Sequence, residues 1–332
     1  MISEPKWNKT AMTFENKFTK CIQTFNNIDK PDYTKSEINN YADFIELFAL
    51  FEKENGVTFG DVQDRFFGVK EYCNSEARDD DESFLNTVFE VIKERISLYT
   101  DEYPFEYQNN ETLLLKQNLS VKNKLYLSLL ISSQLDIFNP FQSDLTADFE
   151  KVSYAVLREF LPVKAVVKEF GKNTQYQGNA ISKIKQLARD LDLQVEDYEL
   201  NQVSERNTQE RGLDIIAWLP FADKCGNKVI FLCQCACGKK YESKQHDTRR
   251  FENYLRFYKT KPQHTLFIPY SLIKVQERKF YHSDYIEQDY LVFERKRILE
   301  YHNDNSIESS ETFKVVEKCI DFMSIENKNI NI

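Results

Sequence analysis

The sequence predicts an α/β fold, α+β overall, in which a mainly helical domain precedes a small mixed β-sheet flanked by helices. Residues 1–38 carry little pattern, but from residue 43 to about residue 170 the apolar residues recur mostly at three- and four-residue spacings, the period of amphipathic helices. From about residue 176, short apolar runs typical of strands alternate with helical segments. A chain of 332 residues is also longer than one compact core usually holds. We therefore predict two domains, an acidic helical one over 1–170 and a sheet-containing one over 171–332.

The composition is that of a globular protein. Hydrophobic residues make up 41% of the chain and aromatic residues 14%, with only eight Gly and eight Pro, which excludes collagenous and disordered chains. No apolar run is long enough to span a bilayer, and residues 1–20 lack the apolar core of a signal peptide, so we predict no membrane association. Seven cysteines, with three of them inside five residues, indicate a reducing compartment, and we expect the cytoplasm.

Charge is unevenly distributed along the chain. The formal net charge is −9, yet residues 1–150 hold 15 Lys and Arg against 27 Asp and Glu, which leaves 29 against 26 for the remainder. The acidic N-terminal part is a poor surface for nucleic acid, so we expect it to meet a protein partner or a second copy of the chain. Within 239–261, eight basic residues outnumber three acidic ones, the local excess that phosphate contacts need.

Each element predicted in the N-terminal domain depends on apolar periodicity bounded by turn or capping residues. In chain order these are a helix over 43–53, a helix over 59–67 that begins after Thr58, an acidic run at 79–82 directly before a helix with an apolar stripe over 85–96, a hairpin over 103–115, a buried helix over 125–137, and further helices to about residue 170. We interpret the acidic run as a helix N-terminus, since it lacks the glycine and the spacing of a calcium loop.

The C-terminal domain is predicted as a compact α/β core. Its elements are an amphipathic helix over 178–191, a strand over 213–218, a turn at 223–227, a strand over 229–237 that forms a hairpin with the first, a helix over 248–261 with a basic face, and a strand over 265–269. A last helix, with Phe313 and Val316 on its apolar face, is expected to pack back on this core.

Two polar residues interrupt the predicted apolar strands. Asp214 is the lone charge in the first strand, and Gln234 lies twenty residues later in the second. A carboxylate in a buried strand is costly unless it is paired or bound to a metal, so we expect the two side chains to lie together. Strand alternation would place the thiols of Cys233, Cys235 and Cys237 on the opposite face.

The stretch 212–218, Gly-Leu-Asp-Ile-Ile-Ala-Trp, followed by 231–238, Phe-Leu-Cys-Gln-Cys-Ala-Cys-Gly, resembles the core of the PD-(D/E)XK restriction-endonuclease-like superfamily. The resemblance covers about 176–275. It implies an αβββαβ core and DNA cleavage that depends on Mg²⁺ or Mn²⁺, in a superfamily many of whose members are restriction or anti-phage defence nucleases. The expected function is thus a metal-dependent deoxyribonuclease acting as an endonuclease.

The resemblance also assigns the metal site residue by residue. Asp214 matches the first metal-binding aspartate, and Gln234 stands where a second acidic residue is usual. The backbone carbonyl of Cys235 is implied as a further ligand. The superfamily's lysine would fall at Ala236, which is the main departure.

Lys244, or else Lys239, is therefore expected to supply the catalytic amine. A glutamate from the first helix is also common in the superfamily, but the helix at 178–191 offers none that clearly faces Asp214. Glu210 and Glu169 remain as fallback candidates.

The predicted basic helix supplies candidates for contacts with the DNA backbone. These are Arg249, Arg250, Arg256 and Lys259. The alternative is an ordinary solvated face of an amphipathic helix.

Two other functions stay open on sequence alone. The same core without the usual second acid and lysine could be a non-catalytic module that binds DNA or a partner protein. A structural zinc site at Cys225, Cys233, Cys235 and Cys237 is the weaker alternative, because thiols that alternate along one strand are too spread for one tetrahedron.

Overall fold

A computed structural model describes residues 12–35, 37–68, 75–109, 111–171, 174–203, 212–303 and 305–322. Its N-terminal elements are α1 (Phe14–Asn26), α2 (Ile38–Phe51), β1 (Val57–Thr58), α3 (Phe59–Phe67), α4 (Ser75–Tyr99), β2 (Phe105–Gln108), β3 (Thr112–Leu115), α5 (Val121–Ser132), α6 (Gln142–Phe160) and β4 (Val166–Glu169). The helix that begins after Thr58 is confirmed, with Thr58 as its capping residue, and so is the hairpin, formed by β2 and β3. The acidic run at 79–82 lies inside α4, so its placement before a helix was wrong.

The C-terminal elements follow in the same order as predicted, with additions. They are α7 (Ala180–Asp190), β5 (Gln194–Val195), α8 (Asp197–Asn201), β6 (Ile215–Trp218), β7 (Ile230–Cys235), α9 (Gln245–Arg249), α10 (Phe251–Tyr254), β8 (Leu255–Arg256), β9 (Gln263–Phe267), β10 (Ile273–Lys274), β11 (Lys279–Phe280), β12 (Tyr290–Phe293), α11 (Arg295–Tyr301) and α12 (Glu311–Asp321). The antiparallel pairing of β6 with β7 confirms the second hairpin.

A five-stranded mixed sheet, in the order β12-β9-β7-β6-β4, carries the candidate site. Strands β4, β6 and β7 run antiparallel in succession, and β7, β9 and β12 run parallel. Helix α6 precedes β4, and α9 with α10 connects β7 to β9. The order is thus helix, three strands, helix, strand, with α7, β5 and α8 inserted after the first strand. The mixed α/β class is confirmed.

Strand β4 occupies residues predicted to be helical, so the expectation of helices to about residue 170 was wrong there. The β-branched residues Val166 and Val167 pair with β6, and this pairing decides the conformation of a segment whose own preference for helix or strand is weak. The proposed domain boundary at residue 170 falls just after β4. It stays a prediction, although strand β4 and its partner β6 lie on either side of it.

Each face of the sheet is covered by a different part of the chain. The face that carries Ile215 and Cys233 belongs to one large apolar cluster shared with α1 to α6, α11 and α12. The opposite face, with Ile216 and Leu232, packs against α7 and α10. Within the described ranges, none of the helices combines the length and the apolar content that a bilayer span requires.

A buried ionic network joins the N-terminal helices to α11. Asp43 of α2 accepts hydrogen bonds from Arg95 of α4 at 2.7 Å and from Arg295 of α11 at 2.9 and 3.0 Å. Glu46 accepts a further bond from Arg95 at 2.7 Å and bonds from buried tyrosine hydroxyls. Burial alone would raise the pKa of Asp43, but the charges of Arg295 and Arg95 lower it below its ordinary value.

Candidate active site

Asp214 and Gln234 lie opposite each other on neighbouring antiparallel strands. Ile215 pairs with Cys233, and the Asp214 amide donates to the Cys233 carbonyl at 3.0 Å, so the ladder continues to Asp214. The Gln234 Nε2 atom donates to Asp214 Oδ2 at 2.6 Å. The Cys235 amide donates to the same oxygen at 2.7 Å. The predicted contact between these two polar side chains is therefore confirmed.

The Gln234 amide lies between the carboxylate and a backbone carbonyl. Its nitrogen also donates to the Cys235 oxygen, at 3.2 Å. The side chain is buried, with 6% of its surface exposed, and its Oε1 atom has no hydrogen-bond partner among the described residues. Buried amide oxygens are normally satisfied, so an unpartnered one indicates room for a donor or a cation.

These groups fit a hard divalent cation. Mg²⁺ prefers oxygen ligands, and the cluster offers the Asp214 carboxylate, the Cys235 carbonyl and the Gln234 Oε1 atom. A half-turn of the Gln234 amide would exchange its nitrogen for its oxygen. The Gln234 nitrogen donates hydrogen bonds to Asp214 Oδ2 and to the Cys235 carbonyl oxygen. These are the two oxygens that a cation would contact.

The loop before β6 is held by a close approach of helix α9. Gly212 has a φ of 84°, in the left-handed region, and a Cβ atom there would lie 2.2 Å from the Asp247 Cβ. Only glycine fits both requirements without strain. Helix α9 is thereby packed against the backbone two residues before Asp214.

Cys233 and Cys235 of β7 and Cys237 just after it are small side chains on the face toward α6, as predicted, with Cys233 and Cys237 buried and Cys235 half-buried. Burial raises the pKa of the Cys235 thiol well above its ordinary value, and the charges of Asp214 and Glu150 raise it further. Burial, with Glu150 and then Asp214, does the same to the pKa of the Cys237 thiol. Such thiols are poor nucleophiles. Within the described ranges, no three His, Cys, Asp or Glu side chains are close enough to hold a metal ion.

The two lysines proposed for catalysis lie away from the carboxylate. Lys239 Nζ forms an ion pair with Asp136 Oδ2 at 2.5 Å and lies 4.6 Å from the centre of the Tyr33 ring, so it is directed to the N-terminal helices. Lys244 ends a short 3₁₀ turn over 241–244 and is exposed. Among the described contacts, none joins either amine to Asp214.

The predicted helix over 248–261 was wrong beyond residue 254. Leu255 and Arg256 form strand β8, which pairs with β5, and Lys259 has a positive φ of 62°. Extended pairing and a left-handed residue cannot continue a helix.

The four proposed DNA contacts are consequently dispersed. Arg256 Nε pairs with Glu196 at 2.6 Å, and the exposed Lys259 precedes Thr260, whose hydroxyl bonds to Asn227 before the start of β7. That is the end of β7 remote from Gln234.

The two arginines of the α9 segment lie differently. Arg249 donates to the Gln288 carbonyl at 3.0 Å and lies over the Tyr290 ring. Arg250, about half exposed, pairs with Asp247 at 3.1 Å. Since Asp247 abuts Gly212, this ion pair links Arg250 to the loop that precedes Asp214.

Sequence reasoning missed two charged residues near the site. Glu150 lies on α6, the helix before the first strand, and the negative charge of its carboxylate helps to raise the pKa of the Cys235 and Cys237 thiols. Lys183 of α7 is buried beside Gly171. Recognising Val166–Glu169 as the first strand would have identified α6, not the helix at 178–191, as the first helix.

The fallback acids do not reach Asp214 in the described structure. Glu169, at the end of β4, is exposed and lines a groove of about 650 Å³ with Lys151 and Arg158 of α6. It pairs in register with Ile215, whose side chain points to the other face from Asp214. Glu210 lies outside the described residues.

Comparisons of the chain with protein-family models, with curated proteins and with solved structures found no match. Any function must therefore be argued from the geometry of this site and from the resemblance in the two strands.

Proposed function

We propose that this chain is a Mg²⁺- or Mn²⁺-dependent DNA endonuclease that hydrolyses phosphodiester bonds. The observation that supports the proposal is the convergence of the Asp214 carboxylate, the Gln234 amide and the Cys235 carbonyl at one point on β6 and β7. The order of helices and strands around them agrees with the resemblance in the sequence of these two strands. DNA as substrate rests on that resemblance.

Asp214, Gln234 and Cys235 would hold the cation. When bound, it would supply positive charge to a phosphate and lower the pKa of a water molecule. The chain's own contribution is rigid positioning. Two donors fix the orientation of the Asp214 carboxylate, and antiparallel pairing fixes the Cys235 carbonyl relative to it. Oxygen ligands held in place need little reorganisation.

Contacts with the DNA backbone are proposed for Arg249 and Arg250, on the α9 segment that approaches the loop before Asp214. Arg256 and Lys259 would contact DNA only if the duplex extended toward the other end of β7. The acidic N-terminal part is proposed to meet a protein partner or a second copy of the chain. A cytoplasmic role in restriction or anti-phage defence is supported by the composition and the resemblance alone.

The test is cleavage of supercoiled plasmid by the purified protein with Mg²⁺, with Mn²⁺ and with EDTA, beside Asp214→Ala. We expect metal-dependent nicking that falls at least about a hundredfold in the variant, because the anionic metal ligand is lost. Asp223→Ala, which removes an exposed carboxylate from the turn between β6 and β7, is the matched control and should cleave normally. Undiminished cleavage by Asp214→Ala would overturn the site.

One observation favours a non-catalytic function instead. The Gln234 nitrogen already satisfies the Asp214 carboxylate without any cation. A core stabilised in this way could bind DNA or a partner protein as an adaptor. Titration of Mn²⁺ by calorimetry separates the two functions: an adaptor should show no binding that depends on Asp214.

A further inference from the structure

A groove of about 450 Å³ is lined mainly by three segments that are far apart in the sequence. They are the loop over 27–33 after α1, the segment over 134–137 after α5, and Lys239, which follows the end of β7 by four residues. A volume of several hundred Å³ is typical of sites for small organic ligands. The groove is distinct from the candidate active site, since Asp214, Gln234 and Cys235 do not line it.

Gln134 is buried in the wall of this groove, with 2% of its surface exposed, whereas the other polar lining side chains reach the solvent. Its Oε1 atom accepts a hydrogen bond from the Tyr33 hydroxyl at 3.1 Å. Its Nε2 atom has no hydrogen-bond partner among the described residues. A buried amide donor is costly unless it meets an acceptor, and a carbonyl oxygen or ring nitrogen of a ligand would be such an acceptor.

Apolar side chains form another part of the wall. Ile28, Phe44 and Ile137 line the groove, and Phe44 and Ile137 are buried. Small-molecule sites combine such apolar walls with a few polar groups that fix the orientation of the ligand. The ligand that fits has a flat apolar face and an edge that carries a hydrogen-bond acceptor.

The charged side chains around the groove are unequal in number. Three carboxylates, those of Asp29, Asp32 and Asp136, stand against the ammonium groups of Lys30 and Lys239, and Lys239 already pairs with Asp136 at 2.5 Å. This surplus of negative charge disfavours a ligand that carries phosphates. The exposed carboxylates of Asp29 and Asp32 can instead accept hydrogen bonds from hydroxyl groups, as acidic residues do from ribose in dinucleotide-binding folds.

We propose that this groove binds a nucleoside, with the base against the apolar wall and the sugar hydroxyls at Asp29 and Asp32. The Gln134 Nε2 atom donates to a carbonyl oxygen or ring nitrogen on the edge of the base. Bases present such acceptors beside a flat face, and protein side chains recognise single bases by this combination of contacts. The inference is independent of the proposed nuclease function, because the groove requires neither Asp214 nor a metal ion.

The test is calorimetric titration of the full chain with adenosine, guanosine, cytidine and uridine, each beside its 5′-monophosphate. We expect at least one nucleoside to bind, and its monophosphate to bind about fivefold more weakly or worse, because the added charge meets a surplus of carboxylates. The melting temperature of the protein should rise with the concentration of that nucleoside, since a ligand that binds only the folded state stabilises it by mass action.

Gln134→Leu, of similar volume, removes the unpartnered donor. It should weaken nucleoside binding about tenfold or more, because one hydrogen bond from a buried group is lost. The unliganded variant should melt at an unchanged or higher temperature, because a buried donor without an acceptor is no longer present. Gln23→Leu, which removes an exposed amide from α1, is the matched control and should equal the unmodified chain in both measurements.

Asp32→Asn changes an exposed loop residue and provides a second variant that leaves the core intact. It should weaken nucleoside binding about threefold or more, since a charged acceptor forms the stronger hydrogen bond. Absence of binding by all four nucleosides to the unmodified chain would overturn the proposal. Tighter binding of the monophosphates would contradict the ligand class, and undiminished binding by Gln134→Leu together with a lower melting temperature would show that the amide is structural.

Discussion

The amide of Gln234 has its nitrogen beside an anionic oxygen, while its own oxygen has no partner among the described residues. A neutral amide here keeps the site stable without a cation, since one donor satisfies the carboxylate. A glutamate at this position would add a second anionic ligand but would lie against Asp214 with like charge. Residue 234 therefore sets the balance between stability without metal and affinity for metal.

Gln234→Glu should bind Mn²⁺ at least tenfold more tightly than the unmodified chain, because carboxylates are stronger ligands than amides for hard cations. Without metal it should be less stable by about 1–3 kcal/mol, because the donor to Asp214 is lost and a like charge is added. Thermal melting over a range of Mn²⁺ concentrations measures both effects, since bound metal stabilises the folded state by mass action.

Gln234→Met, of similar volume, is the control and should lose the dependence on Mn²⁺. An unchanged Mn²⁺ response in both variants would show that no cation binds between β6 and β7.

At the scale of elements, strand alternation made the partnership of Asp214 and Gln234 predictable. A period of two fixes which side chains share a face, whatever surrounds the sheet. The positions of Glu150 and Lys183 were not predictable in this way. The apolar periodicity of a helix shows which of its faces is buried. It does not show which end of a strand a given turn of that helix will pack against.

The predicted helix over 248–261 illustrates the same limit. Phe251, Tyr254, Leu255 and Tyr258 have helical spacing in the sequence. The pairing of Leu255 with Val195 is a contact between segments about sixty residues apart, and it converts the second half of that pattern into a strand and a loop. Local periodicity contains no signal for such a pairing.

Gly212→Ala should destabilise the fold by about 2 kcal/mol or more. An alanine would adopt a left-handed backbone at a cost, and its Cβ would overlap Asp247, so α9 would have to move. The same displacement should lower cleavage, because Arg250 moves with α9.

Urea denaturation of Gly212→Ala and of Gly238→Ala measures the effect. Gly238 follows β7, and a Cβ atom at this position would meet no described atom within 4 Å, so its alanine variant should be close to neutral. Equal stability of the two variants would mean that α9 does not depend on this close approach.

At the scale of the whole molecule, the buried network of Asp43, Glu46, Arg95 and Arg295 joins segments that are far apart in sequence. Asp43 and Arg295 are separated by 252 positions, and both are almost fully buried. A sequence pattern gives no indication of such a pair, because each residue alone is indistinguishable from an exposed charge. The network couples the helical part to α11 next to strand β12, and so to the sheet.

This coupling predicts one cooperative unfolding transition. Far-UV circular dichroism reports mainly on the helices of both parts, and the fluorescence of Trp218, measured in a Trp7→Phe variant that removes the other tryptophan, reports on β6 of the sheet. The urea midpoints of the two signals should coincide, as in two-state unfolding.

Arg295→Met should lower the free energy of unfolding by about 3–5 kcal/mol, because it leaves Asp43 and Glu46 buried with Arg95 as the remaining arginine of the network. Lys296→Met, which removes the partly exposed neighbour that pairs with Glu102, should cost far less. Two separate transitions, with Arg295→Met affecting only one, would instead support independent domains on either side of residue 170.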